Sequence, residues 1–307
     1  MAVPDAAIII VTRNRKDKAR RAIESALAVD GDAEVIVIDD ASTDRTSADL
    51  ASAFPQVRLS RSEAQKGLIV QRNIAVGMST AQVVISLDDD AVIADPQTVR
   101  EAIALFHEPR VGAVAIPFTN FSPDGTQQRM LPSIPDDGAI YVSNTFVGTA
   151  FAVRRDVFQR IGGFQGVLFH WGEESEYSQR LLGAGYVVAM AKRGMIHHYP
   201  NAPGKYIRQV NRYIYRNALL SIWFNAPSLM LIPMVLGQLA RFAVEAVRRP
   251  MQIRTIVEGI GMSIATAMRS GKLRKPLPLA AYRLWMRIRR ERPVPLDRIR
   301  PLLPPAV

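Results

Sequence analysis

The sequence predicts an α/β fold: a doubly wound, mostly parallel sheet followed by a basic, helical C-terminal appendage. Three observations predict it. Short apolar runs alternate with helical patterns through the first 116 residues, the signature of repeated βα units. The runs are near-continuously apolar, as in parallel strands covered on both faces. The charge is divided: residues 1–200 carry 20 Lys/Arg and 24 Asp/Glu, net −4, whereas residues 201–307 carry 19 and 4, net +15.

The first strand is read at Ala7–Val11. A helix follows with Ala19, Ala22, Ile23, Ala26 and Leu27 apolar, the i, i+3, i+4, i+7, i+8 spacing of one helical face. Further strands are expected at Glu34–Ile38, Val57–Leu59, Val83–Leu87 and Val111–Ile116. Helices are expected over Arg45–Ala53, Leu68–Met78 and Pro96–Phe106, with Pro96 suited to a first helical turn. After residue 116 the alternation becomes irregular, and Asp124-Gly125 and Asp137-Gly138 mark turns. A strand to Val153, a short helix to about Ile161, a Gly-Gly turn and a helix from Glu173 to about Leu182 complete this part.

A chain of 307 residues with 48% hydrophobic content can bury a sizeable core. The absence of cysteine excludes disulfides and thiolate metal sites. The apolar run Ala6–Val11 is too short for a signal-peptide core and has no basic leader, so the protein is expected in the cytoplasm.

Open α/β sheets bind ligands at the carboxyl ends of their strands. Here those ends carry "TRNR" after the first strand, "DDASTD" after the second and "DDD" after Val83–Leu87. Any one of them reads as a polar loop or a helix cap, for which Ser42 or Asp44 would serve. Three on one rim read as a site.

Three adjacent carboxylates repel one another, and a divalent cation is the simplest compensation. Mg²⁺ and Mn²⁺ take oxygen ligands, and Mg²⁺ commonly uses one or two carboxylates plus substrate phosphates. In extended backbone Asp88 and Asp90 share a side and Asp89 faces the other way, toward the interior or an arginine. The effective motif is therefore D-x-D.

In order, strand–"TRN", strand–"DDASTD", "QRN", strand–"DDD", "GGF", "GEESEYSQRL" and "HHY" resemble the family 2 glycosyltransferases, inverting enzymes with the GT-A fold. The resemblance covers roughly residues 6–200 and implies a nucleotide-sugar-binding catalytic domain over residues 1–204. It implies donor contacts from Thr12, Arg13, Asp39, Asp40, Arg72, Asn73, Asp88 and Asp89. Asp39 or Asp40 would accept from the base ring N–H. It implies Mg²⁺ or Mn²⁺ held by Asp88 and Asp90, Asp90 foremost, where the ion neutralises the diphosphate leaving group. In "MIHHYP", His197 would complete the metal site or touch the diphosphate, with His198 the alternative.

The helix opening "GEESEYSQRL" places Glu173, Glu174 and Glu176 in its first turn, where acids are favoured by the helix dipole. Glu176 and Arg180 form an i, i+4 pair in the favourable order, an ordinary structural role. Glu173 and Glu174 resemble the family's catalytic Glu-Asp pair, which implies Glu174 as the general base for the acceptor hydroxyl. Glu stands where Asp is commoner. The extra methylene moves the oxygens by about an ångström, which leaves Glu173 open as the base. Trp171 either stacks on a sugar or packs in the core, and Gly163 and Phe164 belong to the turn beneath the acceptor. Gly148 permits either the close approach of a sugar or tight strand packing.

Residues 217–240 contain no charged side chain and are long enough to span a bilayer. Asn217, Asn225, Pro227, Pro233 and Gln238 argue against a span. In "RLWMRIRRER", Leu284, Trp285 and Ile288 share a face beside Arg283, Arg287 and Arg290, the pattern of a helix lying in the membrane interface. Each basic residue near anionic lipid contributes roughly 1 kcal/mol. The expected location is therefore the inner face of the cell membrane, on an anionic surface. The alternative is an Arg-rich appendage over residues 205–307 that packs on the catalytic domain or on a second copy, giving a homo-oligomer. No nucleic-acid fold signature accompanies the charge.

The leading expectation is a metal-dependent inverting glycosyltransferase. It moves a sugar from a UDP or dTDP donor to a hydroxyl of a glycan or lipid-linked acceptor. A non-catalytic nucleotide-sugar or lipid-binding scaffold is the second, distinguished by turnover. A nucleotidyltransferase is the third, distinguished by release of pyrophosphate.

Overall fold

The structure is a computed structural model that describes residues 6–29, 33–200 and 206–307, with side chains in the first C-terminal helix from Val210 onward. The expected boundary at 204/205 lies outside the described residues. Strand β1 (Ala6–Thr12) leads through α1 (Lys16–Leu27) to β2 (Glu34–Asp39) and through α2 (Thr46–Ala53) to β3 (Arg58–Arg61). Helix α3 (Leu68–Met78) returns the chain to β4 (Val83–Asp88). Then follow β5 (Ala91–Ile93), α4 (Gln97–Ala104), β6 (Val111–Ala115) and a hairpin, β7 (Phe118–Phe121) and β8 (Gln127–Met130). Next come β9 (Tyr141–Ser143), β10 (Ala150–Arg154), α5 (Arg155–Arg160), α6 (Glu173–Gly183), β11 (Val187–Met190) and β12 (Ile196–His198). The C-terminal part holds α7 (Tyr206–Asn225), α8 (Ser228–Arg248), α9 (Ile253–Arg269), α10 (Leu279–Glu291), β13 (Val294–Pro295) and α11 (Leu296–Ile299).

The main sheet runs β13-β9-β11-β6-β10-β4-β1-β2-β3. Its β4-β1-β2-β3 half is parallel, as the apolar runs predicted. Beyond β4 the sheet is mixed, because β10 lies antiparallel to both β4 and β6. On one face α1 buries Ala19, Ala22, Ile23 and Ala26, the stripe its spacing predicted. On the other face α3 buries Ile69, Ala75 and Val76. The parallel register sets Thr12 opposite Asp39 and Val11 opposite Asp88, so the three polar clusters share one rim.

A second sheet, β5-β12-β7-β8, stands beside this rim. The Asp124-Gly125 turn closes its β7–β8 hairpin, where the Asp124 carboxylate accepts from the Thr126 backbone N–H at 2.9 Å.

The uncharged stretch 217–240 is divided, as its Pro227 argued: α7 ends at Asn225, and Pro227 caps a separate helix, α8. The C-terminal region departs from its expected form in one respect. The apolar face of "RLWMRIRRER" does not meet membrane. Leu284, Trp285 and Ile288 are buried in the main core, and the Trp285 indole N–H donates to the Asn144 carbonyl at 3.1 Å. An apolar stripe with basic neighbours reads alike for a lipid surface and a protein core, and here β13 completes the core by pairing with β9. Helix α9 packs closely on α7 because Gly259 has no side chain. A Cβ there would lie 2.7 Å from the Tyr215 Cβ and 2.8 Å from the Arg212 carbonyl.

Candidate active site

The aspartate triplet caps β4, and each carboxylate has its own basic partner. Asp88 accepts from the Arg72 guanidinium at 2.8 Å. Asp89 accepts from the Thr12 hydroxyl at 2.8 Å and from Arg15 at 3.0 Å. Asp90 lies 3.3 Å from the Lys18 ammonium and 3.5 Å from Arg15. Repulsion within the triplet is thus offset by protein cations as well as by any bound ion. Burial pushes the Asp88 carboxyl up against the pull of Arg72, and it pushes Asp89 up to about 6 against the pull of Arg15. For Asp90, burial is outweighed by the His198 hydrogen bond and by Lys18 and Arg15, which hold it below the usual carboxylate range.

The second sheet selects the histidine. Antiparallel pairing of β12 with β5 sets His198 opposite Ala91, and the Tyr199 backbone N–H donates to the Asp90 carbonyl at 2.8 Å. Alternation along β12 then turns His198 toward the triplet and His197 away. His198 Nε2 lies 3.2 Å from Asp90, whereas the His197 ring packs on Phe121 at 4.6 Å. His197, the expected partner of the aspartates, is therefore replaced by His198. Parallel pairing with β7 sets Asn120 beside His198, whose Nδ1 lies 2.7 Å from the Asn120 side-chain oxygen. With that oxygen accepting, Nδ1 carries a hydrogen, and Nε2 is the ring nitrogen that faces Asp90 and could bind an ion in place of that contact. Asp88, Asp90 and His198 offer ligand atoms within 4.8 Å of one another. Two carboxylates and one imidazole suit a divalent ion that accepts nitrogen as well as oxygen.

Arg72 links this cluster to the second acidic pair. It is 2% exposed, and besides Asp88 it donates to Glu173 at 3.2 Å and to the Gly148 carbonyl at 2.6 Å. Glu173 is buried. Its other carboxylate oxygen has no hydrogen-bond partner among the described residues. Glu174 is partly exposed and lines a cavity of about 550 Å³ together with Trp171. Burial raises both carboxyls, and the Glu174 charge raises Glu173 further. Of the two, Glu174 is the one that faces the cavity. Gly148 lets this arrangement close: a Cβ there would lie 2.7 Å from the Glu174 carboxylate and 3.0 Å from the Arg72 guanidinium.

Other expected site residues have different surroundings. Thr12 holds Asp89, so its hydroxyl positions the triplet. Arg13 is exposed on the loop after β1, and it is Arg15, two residues on, that reaches the aspartates. Asp40 accepts from the Lys66 and Gly67 backbone N–H groups and the Gln71 side chain, three donors that tie the loop before α3. Asp39 accepts from Ser42 through one oxygen, while its other oxygen has no hydrogen-bond partner and lies 3.7 Å from Arg61. Of the two aspartates, Asp39 is the one with a carboxylate oxygen that takes no hydrogen bond among the described residues. Asn73 engages Phe164 twice, donating to its carbonyl at 2.8 Å and accepting from its N–H at 2.9 Å. This clasp fixes the Gly162-Gly163 turn, where Gly163 has φ +61° and no room for a side chain beside Asn73. Phe164 is buried in an aromatic cluster with Phe146, Phe151, Phe158 and Tyr177, beneath the site and out of an acceptor's reach. Trp171 is 51% exposed on the cavity wall, which settles its placement against the core.

Sequence reasoning noted Asn217 only as a polar residue in the uncharged stretch and missed its role beside the site. Its side-chain amide donates to the carbonyls of Leu168, His170 and Trp171 at 2.9, 2.8 and 2.6 Å. Helix α7 thereby pins the loop that carries Trp171 and opens α6 at Glu173.

With the geometry established, similarity to known proteins identifies the fold family. Residues 7–162 match the model of glycosyl transferase family 2, and residues 129–202 match that of the N-terminal domain of galactosyltransferase. The O-antigen chain rhamnosyltransferase RfbN of Salmonella typhimurium is 26% identical over 182 residues, covering 55% of this chain and 57% of its own. The succinoglycan biosynthesis protein ExoO of Rhizobium meliloti is 37% identical over 103 residues, covering 33% and 29%. The match thus spans little more than half of one relative and under a third of the other. Among solved structures, GalNAc-T7 with UDP, GalNAc and Mn²⁺ superposes with a TM-score of 0.58 at 18% identity, covering 72% of this chain and 48% of that one. The mannosyltransferase PcManGT of Pyrobaculum calidifontis, solved with GDP-Man and Mn²⁺, superposes with a TM-score of 0.54 at 18% identity, covering 94% and 80%. The family model covers half of the chain and the fold superposes on these GT-A structures: the chain belongs to glycosyl transferase family 2.

Proposed function

We propose that the protein is a metal-dependent inverting glycosyltransferase that moves a sugar from a uridine or thymidine diphosphate donor to an acceptor hydroxyl. The observation that carries this reading is the continuity of the two acidic clusters. Arg72 bonds Asp88 on one side and Glu173 on the other, so the metal-type cluster and the acid pair belong to one site. In the reading, Asp39 accepts from the base ring N–H, and Asp88, Asp90 and His198 hold Mn²⁺ or Mg²⁺. The imidazole favours Mn²⁺, since Mg²⁺ prefers oxygen throughout. A bound ion would neutralise charge on the departing diphosphate. Arg15 and Lys18 add fixed positive charge at the same rim. Glu174 accepts the proton of the acceptor hydroxyl as its oxygen attacks the anomeric carbon. Glu173, held by Arg72, keeps that helix turn in place.

The test is transfer by Glu174→Gln and Glu173→Gln. A positioned base contributes about 10²–10⁴-fold, so E174Q should lose at least that range's lower bound while still binding nucleotide. Loss confined to E173Q would reassign the base, and full transfer by both would remove the mechanism.

Membrane attachment remains part of the reading, but on a different surface. Helix α8 is long and apolar enough by composition to cross a bilayer, and it exposes Leu229, Ile232, Leu236 and Val247 along one side. Arg248, Arg249 and Arg254 stand at its end and at the start of α9. A helix lying on an anionic bilayer satisfies both features. Sedimentation with phosphatidylglycerol vesicles tests it: wild type should pellet and Ile232→Ser/Leu236→Ser should not, whereas equal recovery in the supernatant contradicts it. The homologues' role in envelope polysaccharide synthesis is consistent with such a location and with a glycan or lipid-linked acceptor.

A further inference from the structure

The cavity that contains Glu174 extends away from the aspartates toward α8 and α10. There it is lined by Tyr282, Trp285, Arg241, Arg289 and Arg292. None of the three arginines has a carboxylate partner among the described residues. Arg289 lies over the Trp285 ring, 5.5 Å from its centroid, and Arg292 donates to the Asn144 side-chain oxygen at 3.1 Å. Burial, and then the charges of Arg241 and Arg292, hold the Arg289 guanidinium below its ordinary value. Three mutually repelling guanidinium groups on the wall of one cavity are complementary to a multiply charged anion. Arginine's planar fork suits phosphate oxygens in particular.

We propose that Arg241, Arg289 and Arg292 form a subsite for a phosphate or diphosphate group on the acceptor, whose sugar hydroxyl is presented to Glu174 at the other end of the cavity. This rests on the reading of Glu174 as the base. At about 550 Å³ the cavity falls within the range of roughly 300–1,000 Å³ typical of small-ligand sites. Helix α8 sets the chemistry of whatever is attached to that phosphate. It contributes Met234, Gln238 and Arg241 to the cavity, and at about 100° per residue its exposed Leu229, Ile232, Leu236 and Val247 fall on the opposite side. One helix thus touches both an anion site and an apolar exterior. The acceptor class that fits is a sugar joined through phosphate or diphosphate to an apolar chain.

The test uses the full chain and geranyl diphosphate as probe, in EDTA so that the donor rim cannot hold the diphosphate through a metal, with tryptophan fluorescence as readout. Wild type should bind it at least about tenfold tighter than geraniol, and Arg289→Gln/Arg292→Gln should weaken it by about tenfold per arginine removed. Arg289→Lys/Arg292→Lys, which keeps the charge but not the planar fork, should bind more weakly than wild type and more tightly than the glutamine variant, which separates loss of charge from loss of fold. Inorganic pyrophosphate should compete more weakly than geranyl diphosphate, since it lacks the apolar chain. Equal binding of geraniol, or unchanged affinity in the glutamine variant, overturns the proposal. So does loss of phosphatidylglycerol-vesicle binding in that variant with geranyl diphosphate binding intact, which would make the arginines a headgroup site. Mn²⁺-dependent binding of UDP or dTDP, measured in parallel, reports on the donor site. If it is present while geranyl diphosphate fails, the acceptor inference falls alone; if it is absent, the proposed function falls.

Discussion

Gly148→Ala places one methyl group against both the candidate base, Glu174, and Arg72, which holds the neighbouring Glu173. The new Cβ would stand 2.7 Å from the Glu174 carboxylate and 3.0 Å from the Arg72 guanidinium. Ordinary contact begins at 3.4 Å, so the carboxylate must retreat by about 0.7 Å and the guanidinium by about 0.4 Å. Glu174 would also lose the Gly148 N–H that its carboxylate accepts from. A displacement approaching 1 Å at a reacting group costs on the order of 10²-fold in rate. Overpacking at a buried position costs roughly 1–3 kcal/mol, which a chain of this size can tolerate while folded. The expected result is a transfer rate down by about 10²-fold, with Mn²⁺-dependent nucleoside diphosphate binding within about threefold of wild type. Steady-state transfer beside calorimetric nucleotide titration measures both. Full activity in folded G148A would refute the claim that Glu174 acts from this position. Equal loss of nucleotide binding would show that the methyl group disturbs the donor rim instead.

Three further outcomes follow from the same network. Arg72→Met strands the Asp88 and Glu173 carboxylates and should cost roughly 3–5 kcal/mol in urea unfolding; a change under about 1 kcal/mol would mean Arg72 is not their counter-charge. Asn120→Ala should weaken Mn²⁺ affinity by roughly 10–100-fold by freeing the imidazole, with His198→Ala weaker still and His197→Ala near wild type; the reverse order of the histidines would contradict the β12 register. The base must be ionised, and burial, with the Asp88 charge, raises Glu174. Transfer should therefore climb about tenfold per pH unit and level off only above the ordinary carboxylate range. Glu174→Gln should remove that limb; its survival at the same pH would show that the titrating group lies elsewhere.

The parallel half of the sheet was legible because its signals are local. Helix α3 begins at Leu68 and ends at Met78, as its apolar pattern indicated, and the rim clusters follow their strands directly. The second sheet was not legible. β5 and β12 have three residues each, too few for a periodic pattern, and they exist only through pairing across about 100 residues of chain. That pairing also decides between His197 and His198, since a one-residue slip exchanges the two faces. Arg13 and Arg15 differ in the same way, by which of them the turn into α1 brings to Asp89. Leu284, Trp285 and Ile288 were recognised as an apolar face, but composition cannot distinguish a bilayer from the β9 edge. Asn217 illustrates the harder limit. Its three bonds to the loop before α6 depend on a helix crossing that nothing in its own neighbourhood announces.

The central claim is that Asp90 and its neighbours hold a divalent ion that makes a nucleoside diphosphate leave. Release of nucleoside diphosphate from a panel of UDP- and dTDP-sugars, with Mn²⁺ or with EDTA, by wild type and Asp90→Asn tests it in one measurement. The account predicts release from at least one donor by wild type with Mn²⁺, lost in EDTA and reduced by at least about 10²-fold in D90N. Undiminished release in EDTA, or by D90N, would contradict it.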